Sequence, residues 1–198
     1  MTSSATLWTP QSQAKRQMRV SFNEANPQLH QLITPNIGSV LDVGSGVGRD
    51  ALALSRTGRR VTAVEPSDTL RAVAIAADTE RSVEWLKGAL PRLDAVLPQG
   101  SIFDLTMCSA VLMFVTPKDL KAAILQLAGT LRPSGYLAVS VRNLLDTDPP
   151  GRTYHHSNAQ LIAAAMKARL EPFSLQTAPD ALGRPGVEWR NLVFKAAA

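Results

Sequence analysis

Apolar positions along this chain fall into two rhythms. Short runs rich in β-branched and aliphatic residues occupy 39–43, 60–64, 82–86, 103–110 and 136–142. Between them lie stretches with apolar residues three and four apart, at 49–57, 69–77, 91–97, 117–131 and 157–169. The first pattern predicts strands and the second predicts helices. The run from Phe103 to Ala110 is nearly all apolar, as a strand covered on both faces should be. Strand and helix alternate, which predicts an α/β fold with a parallel sheet and helices on both faces. The last two runs, 170–177 and 188–195, have only a turn-rich 179–186 segment between them. A parallel pair needs a crossover, so these two strands must pair antiparallel.

Turn and cap chemistry sets the boundaries. Ser67 can cap the helix after the second strand, and Ser157 with Gln160 forms a capping box. Pro117 is placed to open a helix, and Pro133-Ser134-Gly135 to form a turn before the fifth strand. Ahead of the first strand, a helix is predicted over 12–22, with Met18 and Phe22 on one face. Asn26-Pro27 breaks it, and Leu29, Leu32 and Ile33 suggest a second short helix ended by Pro35. This 1–38 segment either lies over a site as a lid or packs against the sheet, and the residues do not choose between the two. Residues 39–198 make one globular domain.

The densest chemistry sits at the first strand's carboxyl end. Val40-Leu41-Asp42-Val43 runs into Gly44-Ser45-Gly46-Val47-Gly48, and Arg49-Asp50 opens the helix that follows. The glycines let the backbone turn sharply and approach a ligand. N–H groups at the start of the following helix lack helical partners and can hold a polar or anionic group. Glu65 ends the next strand beside this loop, where a carboxylate can accept from both hydroxyls of a ribose. The site therefore expects a nucleoside. A dinucleotide loop reads G-x-G-x-x-G, but Arg49 stands where its third glycine belongs, and Asp42 would repel a pyrophosphate. A sulfonium and an α-amino group would both welcome that acid. An NAD-dependent oxidoreductase is disfavoured for the same reasons.

This loop resembles the first motif of the class I S-adenosylmethionine-dependent methyltransferases. The resemblance runs from about Ser39 to Lys195. It includes Phe103-Asp104-Leu105 leading to Cys108-Ser109-Ala110-Val111, the turn Leu131-Arg132-Pro133-Ser134-Gly135, and the closing Arg184-Pro185-Gly186-Val187-Glu188-Trp189-Arg190. It implies a Rossmann-like, seven-stranded, mostly parallel sheet of order 3-2-1-4-5-7-6 with the last strand antiparallel. It implies S-adenosyl-L-methionine as cofactor. Gly44, Ser45 and Gly46 would contact its methionine part through backbone, and Asp42 and Asp50 would set charge around its amino group. Glu65 would take the ribose hydroxyls, with Pro66 and Ser67 flanking adenine and Ser109 and Ala110 lining the methyl path. Many members carry an acid near the third strand that binds the adenine amino group. Lys87-Gly88-Ala89 stands there instead, so adenine is expected against backbone and Leu86 or Leu90.

The acceptor should lie beyond strands four and five, with Arg142, Tyr154 and His155 as candidate contacts. His155 or His156 could serve as a base if the nucleophile must lose a proton. The expected acceptor is a small molecule methylated on oxygen or nitrogen, since the domain has little insertion to build a macromolecule-binding module. The alternatives are a nucleic-acid or protein methyltransferase using Lys15, Arg16 and Arg19 as a basic arm, and a non-catalytic module that only binds the cofactor. The net charge of +5 leaves nucleic acid open, but only 5% aromatic residues leaves little for base stacking. Asp148-Pro149-Pro150 resembles an amino-methyltransferase motif but follows the wrong strand and lacks the aromatic. A single cysteine, Cys108, excludes an intrachain disulfide; it sits in an apolar strand as a core residue, not a nucleophile. Adjacent histidines make a poor metal site, so no metal is expected. With no secretory signal and no run long enough to span a bilayer, the expected compartment is the cytoplasm.

Overall fold

The computed structural model describes residues 19–148 and 150–198. Strands β1 (Ser39–Val43), β2 (Arg60–Val64), β3 (Val83–Leu86), β4 (Phe103–Ser109), β5 (Leu131–Arg142), β6 (Leu170–Pro179) and β7 (Glu188–Ala196) form one sheet of order β3-β2-β1-β4-β5-β7-β6. The first five are parallel, and β7 runs antiparallel to both β5 and β6. This is the order expected from the resemblance, with the closing pair antiparallel for want of a crossover. The helices are α1 (Phe22–Ala25), α2 (Arg49–Ser55), α3 (Asp68–Ala77), α4 (Leu120–Ala128) and α5 (Asn158–Lys167).

Successive side chains of a strand point to opposite faces, and the core divides accordingly. Leu41 and Val43 of β1 join the layer under α4 and α5, with Ile124, Leu127 and Leu161. Val40 joins the opposite layer, with Leu29, Ala51 and Leu54. Leu105 and Met107 of β4 fall in that second layer and Cys108 in the first, a switch of face at each step. Cys108 is fully buried, and burial pushes its thiol pKa well above the ordinary value. It is a core residue, as its apolar strand predicts.

Several boundaries differ from the sequence reading, each for a local reason. The fourth helix starts at Leu120 instead of Pro117, after a turn over 117–119 in which the Asp119 and Leu120 N–H groups both donate to the Thr116 carbonyl and the Thr116 hydroxyl donates to Asp119. The expected 91–97 helix shrinks to a single 3-10 turn at Leu93–Ala95. β5 begins at Leu131, five residues early, by absorbing the expected Pro133-Ser134-Gly135 turn: Leu131 pairs with Phe103, and the Ser134 N–H donates to the Ala197 carbonyl.

Ahead of β1, the expected 12–22 helix, its Met18 contact, and the basic residues Lys15 and Arg16 lie largely or wholly outside the described residues; Arg19 is exposed at their edge. The helix present is α1, fixed by a capping box in which the Ser21 hydroxyl accepts from the Glu24 N–H and the Glu24 carboxylate accepts from the Ser21 N–H. Asn26-Pro27 opens a 3-10 turn, Pro27–Leu29, where a second helix was expected slightly later. Leu29, Leu32 and Ile37 are buried against the sheet, so residues 19–38 pack on one of its faces. They also reach the cavity described next.

Candidate active site

A cavity of about 540 Å³ opens at the carboxyl ends of β1, β2, β4 and β5. That is where an open α/β sheet places its ligands, at the point where strand order reverses beside β1. Its near half is built on the glycine loop. Gly44, Gly46 and Gly48 all adopt positive φ. A Cβ on Gly44 would lie 2.2 Å from a methyl of Val111, so the loop and the segment after β4 touch only because that residue is glycine. Gly48 meets the Trp85 ring the same way, at 2.5 Å, and that ring is held by its indole N–H donating to Asp78 at 3.0 Å. Gly44→Ala is therefore expected to destabilise the fold by about 1–3 kcal/mol, the cost of strained backbone combined with overpacking. Adding Val111→Ala should restore part of the loss by removing the clash but not the φ strain. Melting curves of the single and double variants check this.

The loop's hydrogen bonding departs from the expectation that N–H groups meet the ligand. Gly44 and Ser45 donate to the Val64 carbonyl at 2.7 and 3.2 Å, and Gly46 donates to Glu65 Oε2 at 2.9 Å. The Ala51 N–H in the first turn of α2 goes to Asp42. With these donors spent on β2 and Asp42, the loop is a poor cradle for a pyrophosphate, which needs free backbone N–H groups.

The charges tell the same story. Asp42, Asp50 and Glu65 all line the cavity and are each at least nine-tenths buried. Arg49 forks onto Asp50 at 2.6 and 2.9 Å and is, among the described residues, the only basic side chain lining this half. Asp42 Oδ2 is buried with no hydrogen-bond partner among the described residues. Burial, followed by the negative charge of Asp50, pushes the Asp42 pKa up to about 8; Arg49 opposes this and Glu65 adds to it. Glu65 Oε1 accepts from the Ser67 N–H at 2.8 Å, so the acid is aimed by the backbone on both sides.

Most sequence-predicted cofactor residues converge here. Asp42, Gly44, Ser45, Gly46, Asp50, Glu65, Pro66, Leu90 and Ser109 all line the cavity. Ser67 does not. Its side chain caps α3 by accepting from the Leu70 N–H at 3.3 Å. At the adenine end, Lys87 turns away to Asp68 at 2.8 Å, which leaves Gly88, Ala89 and Leu90 as the wall. Leu90, of the two leucines expected there, is the one that lines the cavity.

The far half departs more from expectation. Arg142 lines the cavity, but its guanidinium is forked onto Asp148 at 2.7 and 2.5 Å, and it also donates to the Asn143 carbonyl. Tyr154 and His155 do not line the cavity; the Tyr154 hydroxyl donates to the Gly151 carbonyl instead. His156 is buried 3.1 and 3.0 Å from the carbonyls of Leu112 and Val115 through Nε2. Two carbonyl partners require the proton on that nitrogen, so the ring acts as a brace. It holds the segment after β4 whose Met113, Phe114 and Val115 form one cavity wall.

Sequence reading missed the opposite wall, residues 178–182 with Arg184, Trp189 and Asn191. Asp180 organises it by accepting from the Arg184 N–H and guanidinium and from the Trp189 indole. The Arg184 hydrogen bonds, acting against burial, hold the Asp180 carboxyl well below the usual carboxylate range. Asn26, fully buried, accepts from the Ser109 hydroxyl at 3.0 Å and so ties the N-terminal segment to the end of β4. Val20, Glu24, Ala25 and Pro27 close the cavity's rim from that segment. The Ser21-x-x-Glu24 capping box was a local signal for this; nothing local announced Asn26.

Among the described residues, no helix is long and apolar enough to cross a membrane. Residues 41–139 match the family model for the methyltransferase domain. A 137-residue stretch is 28% identical to an uncharacterized methyltransferase of Staphylococcus carnosus, covering 67% of this chain and 63% of that protein. The chain spans from about half to just under two thirds of the length of the curated relatives it matches. Among solved structures, a TehB-like SAM-dependent methyltransferase from Corynebacterium glutamicum superposes with a TM-score of 0.71 at 18% identity, covering 94% of this chain and 97% of that one. The 1,6-didemethyltoxoflavin-N1-methyltransferase of Burkholderia thailandensis, solved with 1,6-didemethyltoxoflavin and S-adenosylhomocysteine, superposes with a TM-score of 0.70 at 23% identity, covering 89% of this chain and 78% of that one. With its sheet order, its glycine loop and the match over 41–139, the chain belongs to the class I S-adenosylmethionine-dependent methyltransferases.

Proposed function

We propose that this chain transfers a methyl group from S-adenosylmethionine to a nitrogen or oxygen of a small-molecule acceptor held in the far half of the cavity. The observation that carries this reading is Asp42 Oδ2. Among the described residues it is a buried carboxylate oxygen without a partner, in a half-cavity where three acids face one arginine. Leaving such an oxygen unpaired is costly, and a cationic ligand removes the cost. S-adenosylmethionine brings an ammonium and a sulfonium; a pyrophosphate would bring the wrong sign.

Asp42 would hold the amino group and Glu65 the ribose hydroxyls. Gly88, Ala89 and Leu90 would pack against adenine, with Pro66 and Leu70 completing that end. The bound sulfonium supplies a methyl group that is already activated toward displacement. The residues of this chain then have one main task, to hold the acceptor atom in line with it. Met113, Phe114 and Val115 on one side and the Asp180-braced wall on the other exclude water from the path. A dedicated base is needed only if the nucleophile must lose a proton. Neither histidine of the sequence reading lines the cavity, and His156 spends its Nε2 on two carbonyls behind the wall.

Thermal unfolding tests the cofactor. S-adenosylmethionine and S-adenosylhomocysteine at a hundred times their dissociation constants should each stabilise the protein by about 2.7 kcal/mol. NAD at the same concentrations should leave the melting temperature unchanged. A shift with NAD alone, or with none of the three, would overturn the assignment.

A further inference from the structure

Among the described residues, the far half of the cavity contains one polar side chain with nothing to hold. Asn191 lies on β7, is 1% exposed, and lines the cavity, and its Oδ1 has no hydrogen-bond partner among the described residues. It belongs to a row. Ser109 on β4 pairs in register with Ser140 on β5, and Ser140 with Asn191 on β7, so the three side chains stand on one face of adjacent strands. The other two are engaged. The Ser109 hydroxyl donates to Asn26, and the Ser140 hydroxyl accepts from the Ala110 N–H. A fold that buries a carboxamide unpaired bears a cost, which a ligand supplying the missing partner would offset.

The surroundings narrow what that ligand is. The two guanidiniums here, those of Arg142 and Arg184, are each forked onto a buried or half-buried aspartate, Asp148 and Asp180. Among the described residues an anionic acceptor would find no free cation in this half, and it would meet the Asp180 carboxylate. The remaining walls are Met113, Phe114, Leu182 and the Trp189 ring, which suit a flat apolar body.

We propose that Asn191 selects the acceptor: its carboxamide receives an N–H or O–H from an uncharged, flat ring system, and the paired arginines keep carboxylate and phosphate acceptors out. The proposal rests on the methyl-transfer reading of the same cavity and names the acceptor class for it. A site built to hydrogen-bond a donor rejects the analogue that lacks it, because its own polar group is then left buried and unpaired.

The test uses the full chain saturated with S-adenosylhomocysteine. Three probes are titrated by calorimetry: 2-quinolinone, a neutral lactam with an N–H donor; its N-methyl derivative, which lacks the donor; and 2-naphthoate, a flat anion. The wild type should bind 2-quinolinone at least about tenfold tighter than either of the others. Asn191→Ala and Asn191→Leu should abolish the preference between the two quinolinones. Both variants should keep wild-type affinity for S-adenosylhomocysteine, and Asn191→Leu should melt above the wild type, since it removes a buried unpaired amide. A structural role for Asn191 predicts the opposite, a lower melting temperature. Equal binding of the two quinolinones to the wild type, preference for 2-naphthoate, or no binding of any probe would overturn the assignment. If S-adenosylhomocysteine binds while the probes show no preference, only the acceptor class falls. If S-adenosylhomocysteine itself does not bind, the methyl-transfer reading falls and takes this proposal with it.

Discussion

Glu65→Ala should weaken S-adenosylmethionine binding by about a hundredfold to ten-thousandfold. A hydrogen bond to a charged group contributes about 1.5–3 kcal/mol, and the ribose offers two hydroxyls to this carboxylate. The geometry favours the upper part of that range. Glu65 is 5% exposed, and its two oxygens are aimed by the Gly46 and Ser67 N–H groups at 2.9 and 2.8 Å. Removing the carboxylate deletes the ribose contact and also leaves two donors without a partner, the buried Gly46 N–H of the glycine loop and the half-buried Ser67 N–H. Glu65→Gln keeps an oxygen acceptor and should fall between wild type and alanine. Calorimetric titration with S-adenosylhomocysteine isolates the effect, because that ligand keeps the ribose and lacks the sulfonium charge. If Glu65→Ala stays folded and its dissociation constant moves by less than about threefold, Glu65 is not the ribose anchor and the site is misassigned.

The position of Glu65 beside the glycine loop was legible in the sequence because everything defining it is local. A strand, a glycine loop, a helix and a second strand ending in an acid follow one another within a single βαβ unit, and parallel pairing of β1 with β2 brings Val43 beside Val64. The antiparallel close of the sheet was legible for a similar reason, as the 179–186 segment has no helix to make a crossover. The far half of the cavity was not legible. Ser109 and Asn26 lie 83 residues apart, and only the packing of residues 19–38 across the end of β4 brings them together. Asn191 reaches the cavity because β7 inserts between β5 and β6, placing it beside Ser140. Periodicity reports which face of a strand is buried; it carries no record of which distant side chain will stand opposite. Arg142 and His156 show the same limit from the other side. Each is the residue type that binds substrates, and each lies near the expected region. Whether such a group is free depends on partners: Asp148 six positions on for the arginine, and two carbonyls more than forty positions back for the histidine.

The acid that precedes the loop should trade stability for binding, and the trade should be visible in pH. Burial and the neighbouring Asp50 charge raise the Asp42 pKa from 3.8 to about 8 in the folded protein without ligand. The folded state therefore keeps a proton on Asp42 that the unfolded chain releases. Its stability contribution is full below the unfolded value near 3.8 and is lost progressively as pH rises to about 8, beyond which it is constant. The carboxamide that Asp42→Asn introduces cannot ionise. The melting temperature of this variant should therefore rise relative to wild type as pH is raised from 5 to 8.5, and the difference should then level off. Binding should run the other way. A cationic ligand favours the ionised acid, so wild-type affinity for S-adenosylmethionine should increase with pH, by up to about tenfold per unit below pH 8, with protons released on binding. Proton release is read directly as a dependence of the calorimetric heat on the buffer's ionisation enthalpy. Asp42→Asn should lose that dependence and bind about tenfold to a hundredfold more weakly at pH 8, the cost of one charge-assisted hydrogen bond. Parallel melting curves across the pH range, or an asparagine variant that binds as tightly as wild type, would mean that Asp42 only braces the Ala51 N–H at the start of α2. The two readings of that carboxylate, brace or cation anchor, differ in what its unpaired oxygen is for, and proton release on binding is the quantity on which they disagree.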